Sequence, residues 1–329
     1  MDRSKLEKFR NMFNKAFSNY NLVIIFFLIL FSIGWFFFPA WSLNTISLSF
    51  CNGLVVISLL VLMKMGLISF GHGMYYCLGG YAVAMSYNFL NIKEAILLIG
   101  IAIFMAFITA FILGYFVRKF RGIFFAMLNL ALSMILFGII VKSISLGSTD
   151  GFGIKDITYF GFNYSGSTRL NFLSYFFILF ITIISMYIVK IYLTSPAGKM
   201  LDAIKENEIR ATYLGIKVNA HIHKIYIFSA ILASLGGALM VLLIGHITPE
   251  DTAYWTKSGE FVFVAILSGT ANVFAPIIGS LFFEFIRSYA LYYFPNTWQM
   301  IIGIVLVLVI IYLPHGIGSL FKVNRKKIK

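Results

Sequence analysis

Few residues in this 329-residue sequence are of types that move protons, bind metals or carry charge, and they are thinly spread. His72 stands between Gly71 and Gly73. An imidazole there, with glycines permitting close backbone approach, could hydrogen-bond a passing solute or a neighbouring helix. Glu284 and Arg287 are three apart on one helix face and read as a mutually neutralising pair. Lys142, near the end of an apolar run, can extend its ammonium to an interface. His221 and His223 form a His-x-His, but no carboxylate or cysteine cluster completes a metal site, so they read as solvated loop residues. Gly198-Lys199 is followed by Met200 and preceded by no glycine-rich loop, so it lacks the parts that cradle nucleotide phosphates. Cys51 and Cys77 fall in apolar stretches and read as small buried hydrophobes. No nucleophile, base or metal constellation supports an enzyme.

The elements around these residues are overwhelmingly apolar. The chain is 60% hydrophobic and 12% charged, and its mean hydropathy is +0.91, against roughly 25% charged residues in a soluble domain. Runs such as 22 to 38, 95 to 117 and 300 to 313 reach or approach the ~20 residues that cross ~30 Å of hydrocarbon. The net charge of +14 does not point to nucleic acid, because Lys and Arg sit between apolar runs and most of the 36 Phe and 18 Tyr lie inside them. The basic N-terminus leads into 22 to 38, but Pro39-Ala40-Trp41 is a poor cleavage site, so this run reads as a retained first span.

Further spans are expected at 43 to 63, 66 to 88, 95 to 117, 122 to 146, 172 to 192, 224 to 245 and 299 to 319. The apolar stretch Gly259 to Tyr292 would make a single helix of roughly 50 Å, too long for a bilayer, and Ser268-Gly269-Thr270-Ala271-Asn272 with Pro276 divides it into two short crossings. The fold class is therefore an all-α polytopic membrane protein of about ten transmembrane helices. An even count puts both basic termini on one face, together with 20 of the 26 Lys and Arg. Four lie opposite (Lys93, Lys155, Arg169, Lys257) and two within spans (Lys142, Arg287). The positive-inside bias places both termini in the cytoplasm. This gives a basic segment 1–21, a transmembrane domain 22–320 and a basic tail 321–329. Ten spans divide into five plus five, and an odd number per half inverts the second half. The third and eighth spans are both interrupted by small residues, at Gly66, Ser69, Gly71 and Gly73 and at Ser268 and Gly269. Such pairs mark a central pathway in transporters, or let helices pack closely.

Two connections are long. In the cytoplasmic loop 194–223, Ser195-Pro196 signals a helix start, 197 to 207 holds good helix formers, and a second helix fits 206 to 214 with Gly215 as its end. This elbow suits docking to a soluble partner, with Ile209 and Leu214 entering a groove; an interfacial linker is the alternative. The external loop 147–171 carries Asp150, Lys155, Asp156 and Arg169 and is either a protein contact or a plain solvated loop.

The run from Ala203 to Lys217, AIKENEIRATYLGIK, resembles the ATPase-docking loop of branched-chain amino acid ABC transporter permeases of the LivM type. Residues 66–81, 122–132, 228–239 and 267–279 resemble that family's glycine-rich third span, its fifth span and its two C-terminal signatures, in order over about residues 43 to 320. Departures are Leu146-Gly147-Ser148 before Thr149-Asp150-Gly151, and Asn129 where Thr is commoner; they touch the external mouth and pathway and leave the solute open. The resemblance implies a multi-pass protein of the cytoplasmic (inner) membrane of a bacterium or archaeon. Its partners would be a second, LivH-like permease, two cytoplasmic ATP-binding subunits and an extracytoplasmic solute-binding protein. No cofactor is expected on this chain, ATP being hydrolysed by the partners. The docking residues implied are Ala203, Glu206, Asn207, Glu208, Ala211, Gly215 and Ile216. Pathway candidates are Ser69, Gly71, His72, Gly73, Asn129, Ser268 and Gly269, and Asp150 and Asp156 are candidate contacts for the binding protein. Urea, short amides or nucleosides are alternative solutes. A secondary transporter or channel is the alternative class, with Glu284 its one candidate acid for ion coupling.

Overall fold

The computed structural model describes residues 39–163, 168–270, 272–312 and 316. The expected first span at 22 to 38 and both basic terminal segments lie outside the described residues. In chain order the helices are α1 (Ala40–Met63), α2 (His72–Leu90), α3 (Ala95–Val117), α4 (Gly122–Lys142), α5 (Thr168–Thr194), α6 (Pro196–Glu206), α7 (Glu208–Tyr213), α8 (Val218–Ile244), α9 (Pro249–Thr252), α10 (Trp255–Ser268), α11 (Ala275–Tyr293) and α12 (Trp298–Tyr312). Four two-residue strands, β1 (Phe152–Gly153), β2 (Thr158–Tyr159), β3 (Phe162–Asn163) and β4 (His246–Ile247), form two antiparallel pairs, β1 with β4 and β2 with β3. Helices satisfy their own backbone in hydrocarbon, which is why the apolar runs take this form. Among the described residues, five stretches are long and apolar enough to cross a membrane: 41–63, 95–117, 122–142, 172–194 and 218–244. The chain is a helical, multi-pass membrane protein.

Between helices in lipid there is little hydrophobic drive, so close backbone approach through small residues does the joining. α8 packs against α1, α2 and α3, and α1 against α8, α11, α5 and α10. The contact of α2 with α8 is backbone on backbone: a Cβ at Gly79 would fall on the Ser234 carbonyl, and one at Gly237 on the Tyr76 carbonyl. Gly236 likewise lies against the Cys51 carbonyl of α1. Cys51 and Cys77 are free and buried. α3 and α4 form the periphery and turn large apolar side chains outward, among them Phe104, Phe116, Ile123, Phe124 and Met127.

The connections sort onto two faces. On one, Arg121 at the α3–α4 turn pairs with Glu208 of α7, His221 at the start of α8 approaches the Ala197 carbonyl, and Gly66 lies against Lys205. A cleft of about 110 Å³ joins Lys64, Thr194 and Asp202 to Thr270. On the other face, Thr158 donates to the Lys93 carbonyl, Gly161 to Glu94, and Ile154 to the Gly245 carbonyl, while β1 pairs with β4. In order, the long helices run alternately between these faces among the described residues.

Two segments enter the layer largely as irregular chain, the second carrying only the single turn of α9. Residues 64–71 run inward from the elbow face until Gly71 meets the Asn129 backbone and His72 begins α2; Asn129 is about 10 Å along α4 from its start. From the opposite face, residues 246–254 descend until the Ala253 carbonyl accepts from Ser133, deeper along α4, and α10 begins at Trp255. The two helix starts meet, for Gly73 N–H donates to Ser258 Oγ at 3.0 Å. This relocates the second interruption. Ser268-Gly269 was expected to break the eighth span, but the break from the opposite face is 246–254. Gly269, at φ +72, instead makes the turn on the elbow face that separates α10 from α11. Sequence alone pointed to 268–272 because glycine advertises a turn wherever it lies, whereas Thr248-Pro249 announces only an ordinary helix start. The expected fifth span also ends earlier, at Lys142, and is followed by a short 3-10 turn at 144–146.

Gly79→Leu and Gly237→Val are expected to abolish the monodisperse peak in detergent size-exclusion chromatography. Gly100→Ala, with open space around its Cα, should leave it unchanged and stabilise α3 by about 0.5–1 kcal/mol.

Candidate functional site

Ser69, Gly71, His72, Gly73 and Asn129 are brought together at the start of α2. Ser69 Oγ accepts from Gly71 N–H, and His72, fully buried, has Nε2 3.2 Å from Ser229 Oγ while Nδ1 has no partner. A relay of hydroxyls runs beside it: Tyr75 donates to Tyr226 at 3.0 Å, and Tyr226 donates to Asn129 Oδ1 at 2.6 Å. Asn129 returns its amide to the Phe125 carbonyl. Apart from His72 Nδ1, which meets no partner among the described residues, these groups are satisfied and packed, so in this conformation they form a polar septum rather than an open passage. Ser268 and Gly269 are not part of it. Ser268 bonds back to the Val264 carbonyl and lies against Gly279, and Gly269 lies against Gly316.

Beyond the septum lies a charge network that sequence reading found only in part. Tyr76 donates to Asn52 Oδ1 at 2.9 Å, and Asn52 donates to Glu284 Oε1 at 2.6 Å. Arg287 is 4.0 Å from Glu284 but 3.5 Å from Glu260, whose Oε2 also receives Lys257 at 3.0 Å. The expected isolated pair of Glu284 and Arg287 is thus a four-residue network spanning α10 and α11. Lys257, assigned to the external side by its place in the sequence, is a buried member of it because 246–254 carries the chain inward before α10 starts. Asn52, Tyr76 and Glu260 were not singled out. For Glu260 the signal was available: Lys257 and Glu260 repeat the i, i+3 spacing of Glu284 and Arg287 on the preceding helix. The network borders a cleft of about 370 Å³ that is also lined by Thr45, Leu48, Ile244 and Leu291.

The elbow is built by two caps. Ser195 Oγ accepts from Gly198 N–H with Pro196 in the first turn of α6, and Asn207 Oδ1 accepts from Arg210 N–H at 2.9 Å to start α7. Asn207 is extended, which is why the second helix begins at 208 rather than 206. Leu201, Ile204 and Ala211 are buried, Ala203 and Ile216 half-buried, and Glu206 and Gly215 exposed. Ile209, Tyr213 and Leu214 are 70%, 87% and 75% exposed. Arg121 grips Glu208 through Nε at 2.9 Å and Nη2 at 2.8 Å, and also donates to Asn219. His221 and His223 are not solvated loop residues: α8 begins at Val218, and His223 Nε2 lies 2.9 Å from the Phe111 carbonyl.

The family model for the permease component of branched-chain amino acid transport systems matches residues 42–310. The chain belongs to this family. It is 26% identical over 284 residues to the high-affinity branched-chain amino acid transport system permease protein LivM of Escherichia coli K12, and 26% identical over 285 residues to LivM of Salmonella typhimurium LT2. Each alignment covers 77% of this chain and 64% of the relative, so the chain spans about two thirds of the length of these curated relatives. No solved structure matches. The septum, the charge network and the elbow of this permease family member all fall inside the matched range. So does the loop between α4 and α5, on which Asp150 and Asp156 are exposed, Asp156 with a left-handed backbone.

Glu260→Gln leaves Lys257 and Arg287 sharing no carboxylate between them and is expected to cost roughly 3 kcal/mol, read as a lowered melting temperature in detergent. Adding Lys257→Met should recover part of that loss, whereas Lys257→Met combined with Glu284→Gln should not.

Proposed function

We propose that this chain is a transmembrane permease subunit of an ATP-driven importer for branched-chain amino acids in a bacterial or archaeal cytoplasmic membrane. It would work with a second, LivH-like permease, two cytoplasmic ATPases and an extracytoplasmic binding protein. The observation that carries this reading is the elbow: two short capped helices on the basic face that leave Ile209, Tyr213 and Leu214 uncovered. Apolar side chains at a charged rim are what a groove on a soluble partner engages. The chain itself binds no nucleotide in this reading, and the energy enters through that contact.

The path for force is short. An ATPase pushing on α7 moves Glu208, which is joined through a two-pronged ion pair to Arg121, the residue that opens α4. α4 carries Asn129 and Ser133, which touch the inner ends of the two irregular segments. Tilting α4 therefore acts on the septum directly. Gly71, His72, Gly73 and Asn129 are proposed to lie on the path that opens, and Asp150 and Asp156 to contact the binding protein.

Leu214→Asp with Ile209→Asp is expected to abolish co-purification with the ATPases and uptake together, leaving the permease itself folded. Charge reversal at Glu206 and Glu208 should uncouple hydrolysis from uptake. Glu208→Arg paired with Arg121→Glu should restore coupling relative to Glu208→Arg alone; thiol labelling that found residue 206 accessible only from outside the cell would end the docking reading. Asp150→Ala with Asp156→Ala is expected to reduce stimulation of ATP hydrolysis by the binding protein, measured in reconstituted vesicles, without changing basal hydrolysis.

A further inference from the structure

The charge network has a composition that a structural salt bridge does not require. Two cations, Lys257 and Arg287, and two carboxylates, Glu260 and Glu284, stand at the depth where α1 and α11 are each half crossed, with an open cleft of about 370 Å³ beside them. Ionised groups at that depth are expensive and mark solute pathways by default. Their mutual contacts are only partly made. Arg287 reaches both carboxylates through Nη1 at 3.5 and 4.0 Å, well outside the 2.7–2.9 Å of a charge-assisted fork. Its guanidinium is instead steadied over the Trp298 ring at 5.3 Å. Glu284 is held from behind by Asn52, itself held by Tyr76, so its carboxylate is positioned without being neutralised by a close cation.

Charge separation across the cleft follows. The Arg287 side, close to the N-terminus of α10, favours an anionic group, since a helix start inside the layer carries partial positive charge. Glu284, with Asp251 on the rim, favours a cationic one. The remaining walls combine aliphatic and thioether groups at Leu48, Met240, Ile244 and Leu291 with hydroxyls at Thr45, Tyr76, Thr252 and Ser288. A cleft of this size lies in the range of small-molecule sites.

We infer that this cleft is a binding site for a free zwitterionic α-amino acid with an aliphatic side chain, its carboxylate toward Arg287 and Lys257 and its ammonium toward Glu284. The site rests on the permease reading and deepens it: the chain itself selects for both charges of the solute, in addition to any selection by a binding protein.

Ser288 lines the cleft and is half-buried, whereas Cys51 and Cys77 are fully buried and will not compete for a thiol reagent. The test is the rate of modification of the full chain carrying Ser288→Cys, in phosphatidylcholine nanodiscs, by a water-soluble methanethiosulfonate. L-leucine is expected to slow modification, while leucinamide, lacking the carboxylate, and 4-methylpentanoate, lacking the ammonium, should not. Glu284→Gln, which keeps the Asn52 contact, and Arg287→Gln should each weaken leucine protection about tenfold. Equal protection by leucine and 4-methylpentanoate, or protection unchanged by both substitutions, overturns the site. Slowing caused by phosphatidylethanolamine in the disc, with no effect of leucine, also overturns it by assigning the cleft to a lipid headgroup. Uptake of radiolabelled leucine by cells expressing the chain together with its partner permease, its ATPases and its binding protein is measured alongside. Uptake without leucine protection removes the site and keeps the permease reading, and absence of uptake removes the permease reading itself.

Discussion

A helix that begins inside hydrocarbon has N–H groups with nowhere to go, and the arrangement of this protein turns on how two such beginnings satisfy one another. Gly73, in the first turn of α2, donates to Ser258 in the first turn of α10. Water is not available at that depth and each unsatisfied group would cost several kcal/mol, so the two starts must meet or neither is tolerable. Gly73 has to be glycine for this, because a Cβ would collide with Ser258 Oγ and crowd the Thr252 carbonyl. Gly71 is constrained in the same way by the Asn129 backbone. The glycine-rich stretch is thus a record of contact between backbones.

The same geometry orders the rest of the core. Once 64–71 enters from one face and 246–254 from the other, α2 and α10 run outward from the middle in opposite directions, and α1 and α8 fill the space around them as the most enclosed of the long helices. The septum of Tyr75, Tyr226, Asn129, His72 and Ser229 occupies one side of the junction. The charge network of Lys257, Glu260, Glu284 and Arg287 occupies the other. Polar groups are placed where irregular backbone already requires polar company; of the two peripheral helices α3 carries almost none, while α4 contributes Asn129 and Ser133 to the junction.

Much of this was legible in the sequence. Hydropathy fixed the long helices to within a few residues at α1, α3, α5 and α8, because a run of twenty apolar residues has no competing explanation. The Ser195-Pro196 start of the elbow was readable because capping is a local rule, whereas the Asn207 cap was passed over and the second helix placed two residues early. What escaped depended on long-range contact. Lys257 looked external because position along the chain was taken for depth, and a descending segment of nine residues breaks that relation. Asn52 and Tyr76 lie in spans with no charge, and nothing short of the fold brings Asn52 to Glu284 from 232 residues away, or Tyr76 to Asn52. Trp298 under Arg287 is of the same kind.

The elbow and the network differ in how they use charge, and the difference bears on mechanism. Arg121 and Glu208 make a close fork at 2.8 and 2.9 Å, suited to transmitting displacement because both donors must move together. Arg287 makes long, divided contacts that leave its orientation to Trp298 and its charge to whatever enters the cleft. A rigid pair at the face where force would arrive in the proposed function and a loosely paired cluster at the depth where solute would rest are complementary requirements. Tightening the second into the first would stabilise a closed chain at the expense of an opening one, since a cation already forked to carboxylate has nothing left to offer a passing anion.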